Sequence, residues 1–230
     1  MSGLDYSILL GLNGSDNIVL DSMVLLLTNA YTWIPLYLFL IFLVIHNNEK
    51  WSQIFLVTFA GVCCVLVSSA VSELMFKPWV ARLRPIHTED LAGSLDLIEG
   101  FNARGYSFFS SHAANTFSLA VFMSLLVRRW TFTIAMVAWS LVNCWTRLYL
   151  GAHFPSDIIA GLLCGGVVGW LVYMIHMHYY MQVTSRLHFI SSQYTKSGYS
   201  LNDIDMFLNL LMVMVVVIII LSILNAQRWI

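Results

Sequence analysis

An all-α integral membrane bundle of six spanning helices is the fold this sequence predicts, and three observations predict it. Apolar residues make up 59% of the 230 positions and charged residues only 10%, against about 25% charged in ordinary soluble domains. Apolar runs close to the ~20 residues needed to cross a hydrocarbon core of about 30 Å recur along the chain. Most of the remaining polarity is gathered into three short clusters and two long connections.

Residues 5–29 mix apolar positions with Asn13, Asp16, Asn17 and Asp21. They read as N-terminal amphipathic helix lying at the interface, too polar to span. Tyr31 to His46, extended at its front by residues 28–30, is the first span. Further spans are predicted at about 51–76, 112–128, 130–148, 157–180 and 205–226, which returns both termini to one side. The whole reads as one membrane-embedded domain over 1–230, with a motif-bearing core at about 16–180 and a C-terminal spanning helix at about 205–226. The first 20 residues lack a basic segment and include Asp5 and Asp16, so no cleaved signal peptide is expected.

The connection from Lys77 to Ser111 holds Gly93, Gly100 and Gly105 and is expected to be a structured loop with one short helix. The second long connection is 181–204. Gly161, Gly165 and Gly169 recur four apart, a small-residue stripe suited to close helix packing. Cys63, Cys64, Cys144 and Cys164 lie in apolar stretches, where a thiol behaves as a small hydrophobe, and their spacing suggests neither disulfides nor a metal. His176 and His178, near the end of the fifth span, fit an interfacial or cytoplasmic position better than a ligand role. A net charge of −1 with no basic run argues against nucleic acid as a partner, and no obligatory protein partner is evident.

Counting cations by side sets the orientation. Lys50, Arg128, Arg129, Arg186 and Lys196 fall on one side. Once Lys77, Arg84 and Arg147 are set aside as site residues, Arg82, Arg104 and Arg228 remain on the other. The positive-inside rule then directs the polar clusters to the periplasm or exterior of an inner (plasma) membrane.

The clusters carry the chemistry. Lys77, Arg84 and Arg147 could offset a phosphate without a metal: an arginine grips phosphoryl oxygens in a bidentate manner, and a lysine acts as a point charge. Taken singly, each could be a long cation snorkelling at a helix end. Ser110, Ser111 and His112 stand where a loop enters the third span, with Ser110 as N-cap ahead of free amides. His153 and Asp157 are four apart, so the carboxylate can accept from Nδ1 and leave Nε2 bare for attack. Glu73 lies one turn before Lys77 and can pair with it.

These residues resemble the phosphatidic acid phosphatase type 2 superfamily, which includes bacterial lipid phosphatases, glucose-6-phosphatase and vanadium haloperoxidases. The family's first motif, Lys, six residues, Arg-Pro, is matched by KPWVARLRP from Lys77 to Pro85. Its second, Pro-Ser-Gly-His, reads FSSH from Phe109 to His112. Its third, Ser-Arg, five residues, His, three residues, Asp, is TRLYLGAHFPSD from Thr146 to Asp157. The likeness spans about 16–165. Thr146 keeps the family's hydroxyl, whereas Phe109 for Pro and Ser111 for Gly depart from it.

The resemblance implies a membrane lipid phosphatase working through a phosphohistidine. His153 would be the nucleophile, Asp157 its orienter and His112 the acid for the leaving oxygen. Lys77, Arg84, Ser110, Arg147 and the Ser111 amide would hold the phosphate, with no metal or other cofactor. The expected substrate is a lipid phosphate or diphosphate in the bilayer, undecaprenyl diphosphate or lipid A first, phosphatidylglycerophosphate or phosphatidic acid as alternatives. A lipid-phosphate binder or transporter without turnover is the rival from another class, since it would need the cations but no nucleophile.

Overall fold

A computed structural model describes residues 3–91, 93–98, 101–183 and 192–227. Among these the chain is helical, with no strand beyond a single bridge between Tyr194 and Ser200. The elements are α1 (Gly3–Leu12), α2 (Ile18–Thr28), α3 (Ile34–His46), α4 (Trp51–Ala70), α5 (Lys77–Val80), α6 (Ser111–Val127), α7 (Trp130–Tyr149), α8 (Pro155–Val183) and α9 (Leu201–Ala226). Gly100 of the long connection and the cations Arg186 and Arg228 lie outside the described residues.

The N-terminal stretch forms two helices, α1 and α2. Asn17 caps α2, its Oδ1 accepting from Val19 and Leu20 N–H. Asn29 ends α2 and at once caps the 3₁₀ turn Ala30–Trp33, accepting from Tyr31 N–H at 3.0 Å. Asn29 thus breaks the continuous run expected ahead of Tyr31, since its side chain satisfies the orphan donors of a new turn. The bend between α2 and the segment that follows is 68°.

Among the described residues three segments, beginning at Trp51, Pro155 and Leu201, are long and apolar enough to cross a membrane, and the bent α2–α3 pair makes a fourth if taken as one broken span. Between Val71 and Phe76 the helix opened by α4 widens into a π turn before α5. Pro78 has no N–H to donate, and a π turn is one way to accommodate the lost bond. Ala81, at φ +48°, ends α5 and turns the chain toward Arg82 and Arg84. The short helix expected in this connection is α5 itself, and among the described residues the loop beyond adds two 3₁₀ turns, Pro85–His87 and Glu89–Leu91.

Helix α6 is central, packing on α4, α7 and α8. The glycine stripe on α8 makes this possible: a Cβ on Gly161 would stand 2.7 Å from the Ser110 carbonyl oxygen, and one on Gly165 would press on that of Ala114. Helix α6 is enclosed by its neighbours, whereas α7 turns one face inward and leaves Ile134, Leu141 and Val142 exposed. On their packed faces the two hold buried Thr116, Ser140 and Asn143, whose groups find partners such as the Thr116–Ser140 hydroxyl pair at 2.8 Å. His176 is buried against protein, with its ring near those of Phe122 and Tyr180.

The two ends of the bundle differ. At one, His46 and Asn47 bond to Asp203 at 2.7 and 2.8 Å, and Ser197 Oγ donates to the Val127 carbonyl. Lys50, Arg128, Arg129 and Lys196 flank these contacts in sequence. At the other end stand Lys77, Arg84 and Arg147.

Candidate active site

The site is assembled from the end of the π turn, the loop after α5, the start of α6, the end of α7 and the α7–α8 turn. Lys77 is buried and its Nζ lies 2.5 Å from Glu73 Oε1, one helical turn back. Arg84 is buried too. Its Nε donates to the carbonyls of Arg104 and Gly105 at 3.1 Å each, and its Nη1 to that of Ala152 at 3.0 Å. The same Nη1 lies 3.1 Å from His153 Nε2. A guanidinium can only donate, so Nε2 is the accepting nitrogen and Nδ1 carries the proton.

His153 sits in the turn after Gly151, whose φ of +60° suits glycine and where a Cβ would come 3.1 Å from Ile86 Cγ2. Its imidazole is buried, and that burial pushes its pKa down to about 4; Asp157 pulls the other way, and the charges of Arg84 and Arg147 lower it further. The ring is therefore neutral at neutral pH. Nδ1 lies 3.6 Å from Asp157 Oδ2, too far for the hydrogen bond expected from the four-residue spacing, because other donors hold the carboxylate.

Asp157 is fully buried and held by other donors. Arg82 Nη1 approaches Oδ1 at 2.7 Å, while Oδ2 accepts from the Ser107 hydroxyl and from Phe154 N–H at 2.9 Å. Ser110 caps α6 as expected, its Oγ accepting from Ala113 N–H at 3.4 Å, and its own N–H donates to the Asp157 carbonyl at 3.1 Å. The Ser111 hydroxyl turns away to Glu73 Oε1 at 2.5 Å and to Ser72 Oγ at 3.0 Å. His112 is exposed toward a cavity.

Arg147, at the buried end of α7, donates to Thr28 Oγ1 and lies 5.6 Å from the Phe101 ring centroid. Its Nε is buried with no partner among the described residues. A buried N–H left unsatisfied costs about 1–3 kcal/mol, and an acceptor arriving between Arg147 and its neighbours would recover it. Lys77, Arg84, Arg147 and the two imidazoles all lie within electrostatic reach of one another. Glu73 offsets one of these cations and Asp157 is engaged by Arg82, so the centre favours an anion.

A cavity of about 530 Å³ leads away from the site between α3, α4, α6 and α7. Thr28, His112, Asn115 and Asn143 mark its polar end, and Leu40, Val44, Val57, Leu119 and Met123 line its apolar depth. Ile41, Val62 and Leu66 on its rim are exposed.

All eight residues singled out from sequence meet here. Sequence reasoning missed Arg82, Ser107, Thr28 and Asp5. Arg82 lies inside the first motif at a position the motif leaves open, and Asp5 approaches from a helix 151 residues from Ser156 along the chain, where no spacing rule reaches.

Comparison with known proteins is consistent with this geometry. The family model described as the PAP2 superfamily matches residues 51–181. A lipid A 4'-phosphatase of Bacteroides thetaiotaomicron is 33% identical over 76% of this chain and 78% of that protein. An undecaprenyl-diphosphatase of Bacillus subtilis, BcrC, is 24% identical over 74% of this chain and 83% of its own length. The crystal structure of Aquifex aeolicus LpxE superposes with a TM-score of 0.57 at 20% identity, covering 75% of this chain and 96% of that one.

Proposed function

The chain belongs to the PAP2 superfamily, and from that premise we propose that this membrane lipid phosphatase removes a phosphate from lipid A or undecaprenyl diphosphate through a phosphohistidine. The observation that carries the reading is a neutral, buried imidazole ringed by three cations at the polar end of an apolar cavity. The cations suit a phosphate, and the cavity suits a lipid chain.

His153 Nε2 attacks phosphorus in line with the leaving oxygen. Arg84 transfers its N–H from Nε2 to a phosphoryl oxygen, baring the lone pair, while Lys77, Arg147, Ser110 and the Ser111 amide take the remaining charge. The N–P bond forms as the P–O bond breaks, and His112 gives its proton to the departing oxygen. Water then attacks the phosphohistidine, returning a proton to His112 and releasing phosphate. Asp157 supports the imidazolium electrostatically in both steps.

On this basis 1–230 is one membrane-embedded domain with six spans, α6 enclosed by its neighbours and α7 presenting an exposed apolar face with Ile134 and Leu141, and with the N-terminal helices at the interface. It orients the site toward the periplasm of an inner membrane, because Lys50, Arg128, Arg129 and Lys196 belong to the opposite end. Phosphatidylglycerophosphate and phosphatidic acid are the alternative substrates.

The test is phosphate release by purified, detergent-solubilised protein from lipid A, undecaprenyl diphosphate, phosphatidylglycerophosphate and phosphatidic acid, each with and without EDTA. Turnover of lipid A or undecaprenyl diphosphate, unaffected by EDTA and lost in His153→Ala, is expected. Binding of these lipids without release would favour the non-catalytic binder, and a strict requirement for added Mg²⁺ would overturn the mechanism.

A further inference from the structure

Arg82 turns its charge away from the phosphate centre and onto the Asp157 side. Its side chain is only 13% exposed. Nη1 is shared between Asp157 Oδ1 at 2.7 Å and Ser156 Oγ at 2.8 Å, and Nη2 reaches Asp5 Oδ2 at 3.1 Å. The guanidinium carbon lies 4.0 Å over the Phe154 ring, which fixes its plane. Its backbone also takes part: Ser107 N–H donates to the Arg82 carbonyl at 2.8 Å, and the Ser107 hydroxyl donates to Asp157 Oδ2. One residue therefore grips both oxygens of a fully buried carboxylate, one directly and one through Ser107.

Asp5 completes the arrangement from α1. Its Oδ1 accepts from Ser156 N–H at 3.0 Å and its Oδ2 from Ser156 Oγ at 2.8 Å, so it docks on the start of α8 while restraining Arg82. The result is a chain of three charges, Asp5, Arg82 and Asp157, running from the first helix toward the imidazole of His153. His153 Nδ1 has no hydrogen-bond partner of its own among the described residues. Where Asp157 stands is thus decided by Arg82 and Ser107, and the field at the imidazole follows from it.

We propose that Arg82 is a positioning residue for His153, acting through Asp157, and that Asp5 makes α1 part of that apparatus. The inference rests on His153 being the nucleophile, as proposed above. Arg82 contacts no reacting atom, so its loss acts on turnover and not on the grip on phosphate.

The test is a double-mutant cycle on the full-length protein in detergent, with Arg82→Gln, Arg82→Lys, Asp5→Asn and Asp157→Asn, alongside ¹⁵N NMR of the imidazole nitrogens of His153. Arg82→Gln should lower kcat by about 30-fold or more with KM within about threefold, the pattern of an interaction made in the transition state. Arg82→Lys should recover part of the loss, and Asp5→Asn should cost about three- to tenfold. In the Asp157→Asn background Arg82→Gln should add less than about threefold, because the two act as a unit. A merely structural arginine would give full additivity and an unchanged His153 spectrum, and that result would overturn the proposal. The spectrum reads the linkage without turnover: if the wild-type protein releases no phosphate yet Arg82→Gln changes the Nδ1–H signal, the hydrolase reading fails and the linkage stands. If Arg82→Gln does not fold, the cycle with Arg82→Lys and Asp5→Asn decides, additivity again refuting it.

Discussion

The guanidinium of Arg84 lies 3.1 Å from His153 Nε2, on the nitrogen a nucleophilic imidazole would use. Because Arg84 can only donate, this contact selects the tautomer with the proton on Nδ1 and keeps the Nε2 lone pair directed toward the centre of the cations. It also makes Arg84 the group that a phosphoryl oxygen must draw away.

His153→Ala should therefore abolish phosphate release while leaving membrane insertion intact, and Asp157→Asn should retain more activity than His153→Ala, since the imidazole remains. Steady-state phosphate release from detergent-solubilised variants of matched expression measures both. Activity of His153→Ala within about tenfold of wild type, roughly 1.4 kcal/mol of barrier, would remove it as nucleophile.

The acid side of the pH dependence follows from the His153 value of about 4. The imidazole stays neutral well below the ordinary histidine value of about 6.5, so protonation of the nucleophile should not limit kcat/KM until pH approaches about 4. The stability consequence has a definite sign. Between about 4 and about 6.5 the unfolded chain binds the proton and the folded chain does not, so folding stability should fall as pH drops through this window. Thermal unfolding in detergent at pH 7 and pH 4.5 measures it, with a smaller decrease expected in His153→Gln; equal decreases would assign the effect elsewhere.

His112 faces the cavity as the proton donor should. His112→Ala is expected to slow cleavage of a lipid phosphate far more than that of an activated aryl phosphate, whose leaving group needs no proton. Equal slowing of both would make His112 a phosphate ligand. Ser111→Gly should lose less than about tenfold, because the Ser111 hydroxyl is directed to Glu73 and the amide is kept.

The cavity lining makes a separate prediction. Gly61 lines it, and a Cβ there would come no nearer than 3.8 Å to Leu119 Cδ1, so there is room for a larger side chain within the groove itself. Gly61→Leu should raise KM for a long-chain lipid phosphate by about tenfold or more and leave hydrolysis of a short aryl phosphate nearly unchanged. Loss of both activities alike would mean that the groove does not hold the chain.

Orientation can be read by labelling. A cysteine at Ser94 should react with a membrane-impermeant maleimide in intact spheroplasts, and one at Lys196 should be protected. The reverse pattern would turn the site to the cytoplasmic side.

Read alone, the sequence established a helical membrane protein and the eight residues from Lys77 to Asp157 that gather at one end of the bundle. Both depend on local chemistry: apolar runs have few alternatives to helices in a bilayer, and motif spacing places a cation or imidazole at a helix end. The π turn before Lys77 and the break at Asn29 were not legible, because each reflects competition between backbone bonds and a neighbouring side chain or proline. Only the tertiary structure showed that Asp157 is gripped by Arg82 and Ser107 while His153 lies 3.6 Å away. It also showed that α1 reaches the site through Asp5 and that an apolar cavity opens beside His112. These relationships join residues far apart in the chain, and their geometry is decided by how the helices pack, which no local pattern encodes.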